Sequence, residues 1–191
     1  MHIRIHRRAD GPASARVEPQ EISLRVRATI RLAAEADLPK LEWFGQYTHF
    51  RHLYEQTYQE QREGRRLMLV AAVNDFPVGQ VFVSLEDGYF DNDGEGPHGY
   101  LYALRVMEPF QRLGLGSALV TAAERHLVQR GYRRATIAVA KDNLRAQRLY
   151  ARLGYHIYKE DPGRWHYVDH EGRTRFVEEP CWLMEKQIPG S

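Results

Sequence analysis

Two glycines, Gly114 and Gly116, lie between an apolar run and an amphipathic segment in the stretch PFQRLGLGSAL, residues 109–119. A glycine turn that begins a helix can bind an anion, because unobstructed backbone amides approach the ligand and the helix N-terminus carries partial positive charge. The stretch therefore predicts either an anion site or a simple connection between a strand and a helix.

The two common nucleotide-binding glycine motifs do not fit this stretch. A dinucleotide fingerprint needs a third small residue, but Leu119 occupies that position, and RGYRRAT stands where the acidic residue should follow. A Walker loop needs Lys and then Ser or Thr directly after its last glycine, and Ser117-Ala118 does not supply them.

A second segment with chemical potential runs from Asn143 to Gly154 and carries Ala146 and Tyr150 at helical spacing. Asn143 can cap a helix, bond the amides of a ligand, or do both. Tyr150 lies two turns further along the same helix face, as a core tyrosine or as a proton donor.

Together, Gln111-x-x-Gly114-x-Gly116 and the segment from Asn143 to Gly154-Tyr155 resemble the GNAT superfamily of acyl-CoA-dependent N-acetyltransferases. The resemblance covers residues 23–187 and is strongest from 99 to 156. It implies acetyl-CoA as co-substrate and direct transfer to a primary amine of a small molecule or peptide in a ternary complex. The alternative is a catalytically weak acyl-CoA-binding sensor.

The resemblance also assigns roles to residues. The backbone amides from Gln111 through Ser117 would bind the pyrophosphate of coenzyme A, and the strand end at Leu104 and Val106 would pair with its pantetheine arm. Arg112 would contact a phosphate or form a surface salt bridge, and Tyr150 would protonate the departing thiolate. The predicted cofactor-binding residues are Leu104, Val106, Gln111, Arg112, Leu113, Gly114, Leu115, Gly116, Ser117, Asn143, Ala146 and Tyr150.

The general base is harder to place, because the strand Tyr100–Leu104 has no carboxylate where many relatives carry one. The candidates are in the acidic loop just upstream, at Glu86, Asp91, Asp93, Glu95 and His98. With Tyr150, we select Glu95 and His98 as the predicted catalytic residues. The acidic loop also suggests that the acceptor is cationic.

Periodicity predicts the elements that position these residues. A strand is expected from Ile22, one or two helices before Gly64, a hairpin turning at Asn74-Asp75-Phe76-Pro77, and a helix from Gln111 closed by Gly131. That helix should bury Leu115, Ala118, Leu119, Ala122 and His126. Strands are expected at GYLYALRV, ATIAVA, YHIYKE and CWLMEK, with a helix after Asn143 and a hairpin turning at His170-Glu171-Gly172.

The order of elements predicts an α/β (α+β) fold. A mixed, mostly antiparallel sheet should contain a central parallel strand pair and carry flanking helices. Residues 1–22 form a predicted N-terminal arm, and residues 23–191 the acetyltransferase-like domain. Aromatic residues before Gly64 are expected to pack on the core or, alternatively, to line a substrate pocket; they are Phe44, Tyr47, Phe50, Tyr54 and Tyr58.

Composition limits the partners and the compartment. A net charge of +2 from 27 basic and 25 acidic residues argues against nucleic-acid or membrane binding. One cysteine, Cys181, expected in the core rather than as a nucleophile, fits a cytoplasmic protein. No metal is expected, because turn residues around His166 and His170 oppose a helical metal pair. The oligomeric state stays open between a monomer and a homodimer.

Overall fold

The computed structural model describes residues 26–86 and 98–189. In this part of the chain, seven strands form one sheet in the order β1-β2-β3-β4-β5-β9-β6, and β7 and β8 form a separate pair. The strands are β1 Thr29–Leu32, β2 Arg66–Val73, β3 Phe76–Ser84, β4 His98–Val106, β5 Arg134–Ala140, β6 His156–Asp161, β7 Arg164–Val168, β8 Thr174–Glu178 and β9 Cys181–Gln187.

The sheet has the predicted mixed architecture. Only β4 and β5 pair in parallel; every other described pair is antiparallel. The β2–β3 hairpin turns at Asn74 and Asp75 as predicted, and both residues have positive φ, at 47° and 58°, which matches the right-handed twist of a hairpin. The β7–β8 hairpin is also confirmed, whereas β1 is shorter than expected, and residues 22–25 of that predicted strand lie outside the described residues.

Three α-helices pack on this sheet: α1 Arg51–Arg62, α2 Leu115–Gln129 and α3 Leu144–Arg152. Short 3-10 helices cover Glu35–Glu42, Thr48–Phe50 and Glu108–Phe110. The first of the two helices predicted before Gly64 is therefore a 3-10 helix that contains Pro39, and it ends at Trp43, where φ is 41°. No helix among the described residues is long and apolar enough to cross a membrane.

The predicted inner face of α2 is partly wrong. The helix buries Leu119, Val120, Ala123 and Leu127, whereas Ala118, Ala122 and His126 remain partly exposed. Apolar residues surround much of this helix, so periodicity alone allowed more than one face to be buried. Gly131 closes the helix as predicted, with φ of 87°.

Two hydrophobic layers cover the sheet. Side chains of α2 and α3 pack on one face, with Leu101 and Ile137 at the centre of that layer. Side chains of α1 and the neighbouring 3-10 helices pack on the opposite face, around Met68 and Phe82. Any gap between adjacent strands therefore connects the two faces of the sheet.

Candidate active site

The central parallel strands separate and leave a cleft. Their pairing runs from His98 opposite Arg134 to Leu101 opposite Ile137 and then stops. Beyond that point, Leu104 and Val106 of β4 face residues 138–140 of β5 across a cavity of about 1170 Å³. The main chain of two strand ends is thus available to a ligand that enters between them.

A β-bulge in β4 is responsible for the side-chain arrangement at this point. Gln80 of β3 pairs with Arg105 and Phe82 pairs with Tyr102, so Ala103 and Leu104 together lie opposite Val81. Ala103 has φ of 51°. The extra residue puts Tyr102 and Arg105 on the same face, although three positions separate them, and regular alternation would have sent them to opposite faces.

The glycine loop, residues 111–116, leads into the N-terminus of α2. Gly114 has φ of 85°, and its carbonyl accepts the first hydrogen bond of the helix, from Ala118 N at 3.0 Å. The amides of Leu115, Gly116 and Ser117 precede that bond, and no side chain caps the helix. These residues line the cleft, so an anion at this end would meet free backbone donors.

The backbone amide of Gln111 is not free to bind a phosphate, although that role was predicted for it. Its amide donates to Glu108 O at 3.1 Å, and its side chain donates to Val106 O at 2.8 Å while accepting from Arg145 Nη1 at 2.5 Å. Gln111 therefore links the end of β4 to α3, and its backbone amide is already occupied.

Arg112 and Leu113, the next two residues predicted to bind the cofactor, lie differently relative to the cleft. Arg112 lines the cleft, is exposed, has φ of 63°, and forms no ion pair with any described residue. Leu113 is 66% exposed and is absent from the lining of the cleft. The structure therefore does not bring the Leu113 side chain to the site.

Helix α3 places Tyr150 at the inner end of the cleft. Asn143 begins the helix and accepts from Ala146 N at 3.0 Å, which confirms the capping prediction. Asn143, Ala146 and Tyr150 all line the cleft. Tyr150 is 5% exposed, and its hydroxyl has no hydrogen-bond partner within residues 26–86 and 98–189. Burial raises the pKa of Tyr150 above its ordinary value, so the phenol is a proton donor at neutral pH.

Of the predicted base candidates, the two that the structure describes, Glu86 and His98, do not line the cleft. His98 is the first residue of β4 rather than a loop residue, is buried, and has Nδ1 3.4 Å from Arg134 Nη2. His98 does not line the cleft, so the structure does not bring this predicted catalytic residue to the site. Glu86 pairs with Arg65 and Arg66 outside the cleft, and Asp91, Asp93 and Glu95 lie outside the described residues.

Aromatic residues and Arg105, which the sequence did not indicate as a site residue, form the other side of the cleft. Arg105 lines it beneath Tyr47 and Phe50, and the β7–β8 hairpin adds Trp165 and His166. Of the aromatic residues before Gly64, Tyr47 and Phe50 therefore line the pocket, which was the alternative prediction. Tyr54 is buried in the core, and Phe44 is 87% exposed.

Two carboxylates, Asp161 and Glu179, line the described part of the cleft and were also missed. Asp161 is the last residue of β6, and Glu179 lies between β8 and β9. Cys181 lies beside them and is buried, as expected, and burial raises the pKa of its thiol. This cysteine therefore stays protonated at neutral pH.

Comparison with solved structures identifies the class to which this fold belongs. Arabidopsis thaliana NAA60 in complex with acetyl-CoA aligns with a TM-score of 0.64 at 19% identity, over 86% of this chain and 100% of that chain. Ard1 from Thermoplasma volcanium aligns with a TM-score of 0.65 at 20% identity, over 85% of this chain and 98% of that chain. The separated parallel strands thus belong to an acetyltransferase fold.

Sequence comparison then identifies the family. Residues 32–155 match the Acetyltransferase (GNAT) family, and the chain belongs to that family. A mycothiol acetyltransferase from Parafrankia sp. (strain EAN1pec) is 39% identical over 66 residues, which cover 35% of this chain and 20% of that protein. The chain therefore matches only a fifth of the length of this curated relative.

Proposed function

We propose that this protein is an N-acetyltransferase that moves an acetyl group from acetyl-CoA to a primary amine in a ternary complex. One observation carries the proposal: a single cleft joins amides at the start of α2 to a tyrosine hydroxyl on α3, and no described residue bonds either group. The first group suits a phosphate and the second suits a leaving thiolate, and acetyl-CoA contains both at opposite ends.

The cofactor would lie along β4. Its pyrophosphate would accept from the amides of Leu115, Gly116 and Ser117, with Arg112 as the nearest charged side chain of the loop. Its pantetheine amides would bond the main chain of Leu104 and Val106, which has lost the pairing to β5. Asn143 and Ala146 would contact the same arm from α3.

The chemistry would use Tyr150 as general acid. The neutral amine nitrogen attacks the acetyl carbonyl carbon, the carbon–sulfur bond then breaks, and the thiolate takes the Tyr150 proton. Proton donation of this kind contributes roughly 10²- to 10⁴-fold in rate. The phenol is restored by the proton that the attacking nitrogen releases, through water.

A base must first deprotonate the amine, which has an ordinary pKa of about 10. Glu95 remains the candidate that the sequence proposes. Asp161 and Glu179 are further candidates, because both residues line the cleft. The absence of a carboxylate from β4 favours the alternative of a sensor that binds acetyl-CoA without turning it over.

The deciding experiment incubates the full chain with acetyl-CoA and a panel of primary amines, and follows free thiol and acetylated product by mass spectrometry. We expect one amine class to give product in equal amount to released coenzyme A. Calorimetric binding of acetyl-CoA measures the cofactor site independently of turnover. Tight binding without product from any amine would support the sensor, and absence of binding would overturn both functions.

A further inference from the structure

Arg105 presents hydrogen-bond donors to the cleft that no described residue satisfies. Its Nη1 atom is buried and has no hydrogen-bond partner. Its guanidinium carbon lies 4.7 Å from the ring centre of Tyr47 and 4.7 Å from that of Phe50. A buried donor without a partner destabilises the fold, and more so when it is charged, so such a group in a cleft calls for a ligand.

The aromatic contacts do not replace that ligand. Rings interact with the face of a guanidinium, whereas its five N–H donors lie in the plane and point away from the rings. Contact with Tyr47 and Phe50 therefore leaves the in-plane hydrogen bonds of the guanidinium unmade. Fixed, planar donors are suited to a carboxylate, which can accept two parallel hydrogen bonds.

No described acid neutralises Arg105. On the neighbouring elements, Glu42 pairs with Arg51 at 2.6 Å and Asp169 with Arg175 at 2.7 Å. Burial and then the Arg105 charge lower the pKa of His49 below its usual value, which favours a neutral imidazole beside Arg105. Within residues 26–86 and 98–189, the positive charge of Arg105 therefore has no acidic partner on this side of the cleft.

The position of Arg105 separates it from the cofactor donors. The bulge at Ala103 turns Arg105 to the sheet face covered by α1, with Tyr102. The free amides of α2 and the hydroxyl-bearing helix α3 belong to the opposite face. An anion on Arg105 would therefore belong to the molecule that meets acetyl-CoA from the α1 side.

We propose that the acceptor amine carries a carboxylate, and that Arg105 binds this carboxylate while the amine faces the thioester. The proposal rests on the proposed acetyltransferase function and adds the substrate class. The acceptor is then a zwitterion, such as a free amino acid or a short peptide with an acidic side chain. An acceptor with a cationic amine can therefore bind beside the positive charge of Arg105, because the carboxylate of the same molecule pairs with that arginine.

The test compares matched acceptors in wild type and Arg105→Met, a variant that keeps an unbranched apolar stem beside the two rings. Free amino acids are paired with their α-carboxamides, and Ala-Asp with Ala-Asn, so that each pair differs in one carboxylate. The measured quantity is kcat/KM for the acid divided by kcat/KM for its amide. Differences in amine reactivity cancel when this ratio is compared between the two proteins.

We expect Arg105→Met to lower that ratio by about 10- to 100-fold, the usual range for a charged hydrogen bond, with acetyl-CoA KM unchanged. A lower ratio for the amino acids and their carboxamides indicates a free amino acid as acceptor. A lower ratio for Ala-Asp and Ala-Asn indicates an acidic peptide. Arg148→Met, which removes an exposed charge outside the cleft, should leave the ratio as in wild type. An unchanged ratio in Arg105→Met, or a change in acetyl-CoA KM alone, overturns the proposal.

A binding measurement separates this inference from the proposed function. N-acetylglycine and N-acetylglycinamide are titrated into the wild-type protein with coenzyme A, which requires no turnover. Selective binding of the acid that Arg105→Met abolishes supports the carboxylate site even if no amine is acetylated. Equal binding of both compounds, or of neither, overturns it. If Arg105→Met does not fold, Arg105→Lys keeps the charge but loses the planar fork, and should weaken acid binding.

Discussion

Gln111 and Arg145 join the glycine loop to α3 through a hydrogen bond of 2.5 Å between Arg145 Nη1 and Gln111 Oε1. The same glutamine donates to Val106 O, the last residue of β4, at 2.8 Å. One side chain thus holds the strand end, the loop and the helix that carries Tyr150 in a common geometry.

Gln111→Ala removes both hydrogen bonds, each worth about 0.5–1.5 kcal/mol. We expect KM for acetyl-CoA to rise about 10-fold, because the loop loses its fixed position relative to β4. Steady-state kinetics measure this, with Gln129→Ala at the exposed end of α2 as the control. A KM equal to that of wild type would show that the loop is positioned by other contacts.

Gly114→Ala tests whether the conformation of the loop matters for cofactor binding. Gly114 and Gly131 have φ of 85° and 87°, and an added Cβ would meet no atom within 4 Å at either position. Both alanine variants should therefore lose about 1–2 kcal/mol of unfolding free energy from backbone strain alone. Only Gly114→Ala should also weaken acetyl-CoA binding, measured by calorimetry. Equal affinity in the two variants would contradict the loop's role.

Tyr150→Phe should lower kcat by at least about 10²-fold while sparing acetyl-CoA affinity, because the lost hydroxyl supplies the leaving-group proton. Tyr155→Phe is a matched control, since its ring centre lies 6.1 Å from that of Tyr150 and it does not line the cleft. Rapid-quench measurement of acetyl transfer isolates the chemical step. A rate in Tyr150→Phe like that in the control would remove the acid role.

Asp37 should stabilise the fold in a pH-dependent manner. It is 1% exposed and accepts from Arg31 at 2.5 and 3.0 Å and from Ala34 N at 2.8 Å. Burial acts to raise the pKa of Asp37, but these hydrogen bonds and the Arg31 charge lower it below 3.8. Its stabilisation is therefore complete above the unfolded pKa of about 3.9 and is lost as pH falls through the lower folded value.

The corresponding variant is Asp37→Asn, which leaves Arg31 with a neutral partner. We expect a loss of about 2 kcal/mol in urea denaturation at pH 7 that shrinks at acidic pH, where wild-type Asp37 also becomes neutral. Glu35→Gln, at an exposed position of the same 3-10 helix, should change stability by less than about 0.5 kcal/mol. A loss independent of pH would argue against the carboxylate charge as its cause.

Local patterns were sufficient for much of the fold. The two hairpins, α3, β5 and the Gly131 cap follow from turn residues and periodicity, which act over a few neighbouring residues. The buried face of α2 did not follow, because several faces of that helix are apolar and only the sheet beneath it selects one. His98 was misplaced because an adjacent glycine resembled a loop, whereas in the structure strand pairing continues through it.

By itself, the sequence predicted the proposed acetyl-CoA side of the protein, because glycines, a cap and a tyrosine at fixed spacing act through local backbone geometry. The proposed acceptor side was decided only by tertiary structure. Arg105 is an ordinary strand residue in the sequence, and a one-residue bulge directs it toward Tyr47 and Phe50, more than 50 positions earlier in the chain. Such a contact depends on strand register and helix packing, which no short stretch of sequence encodes.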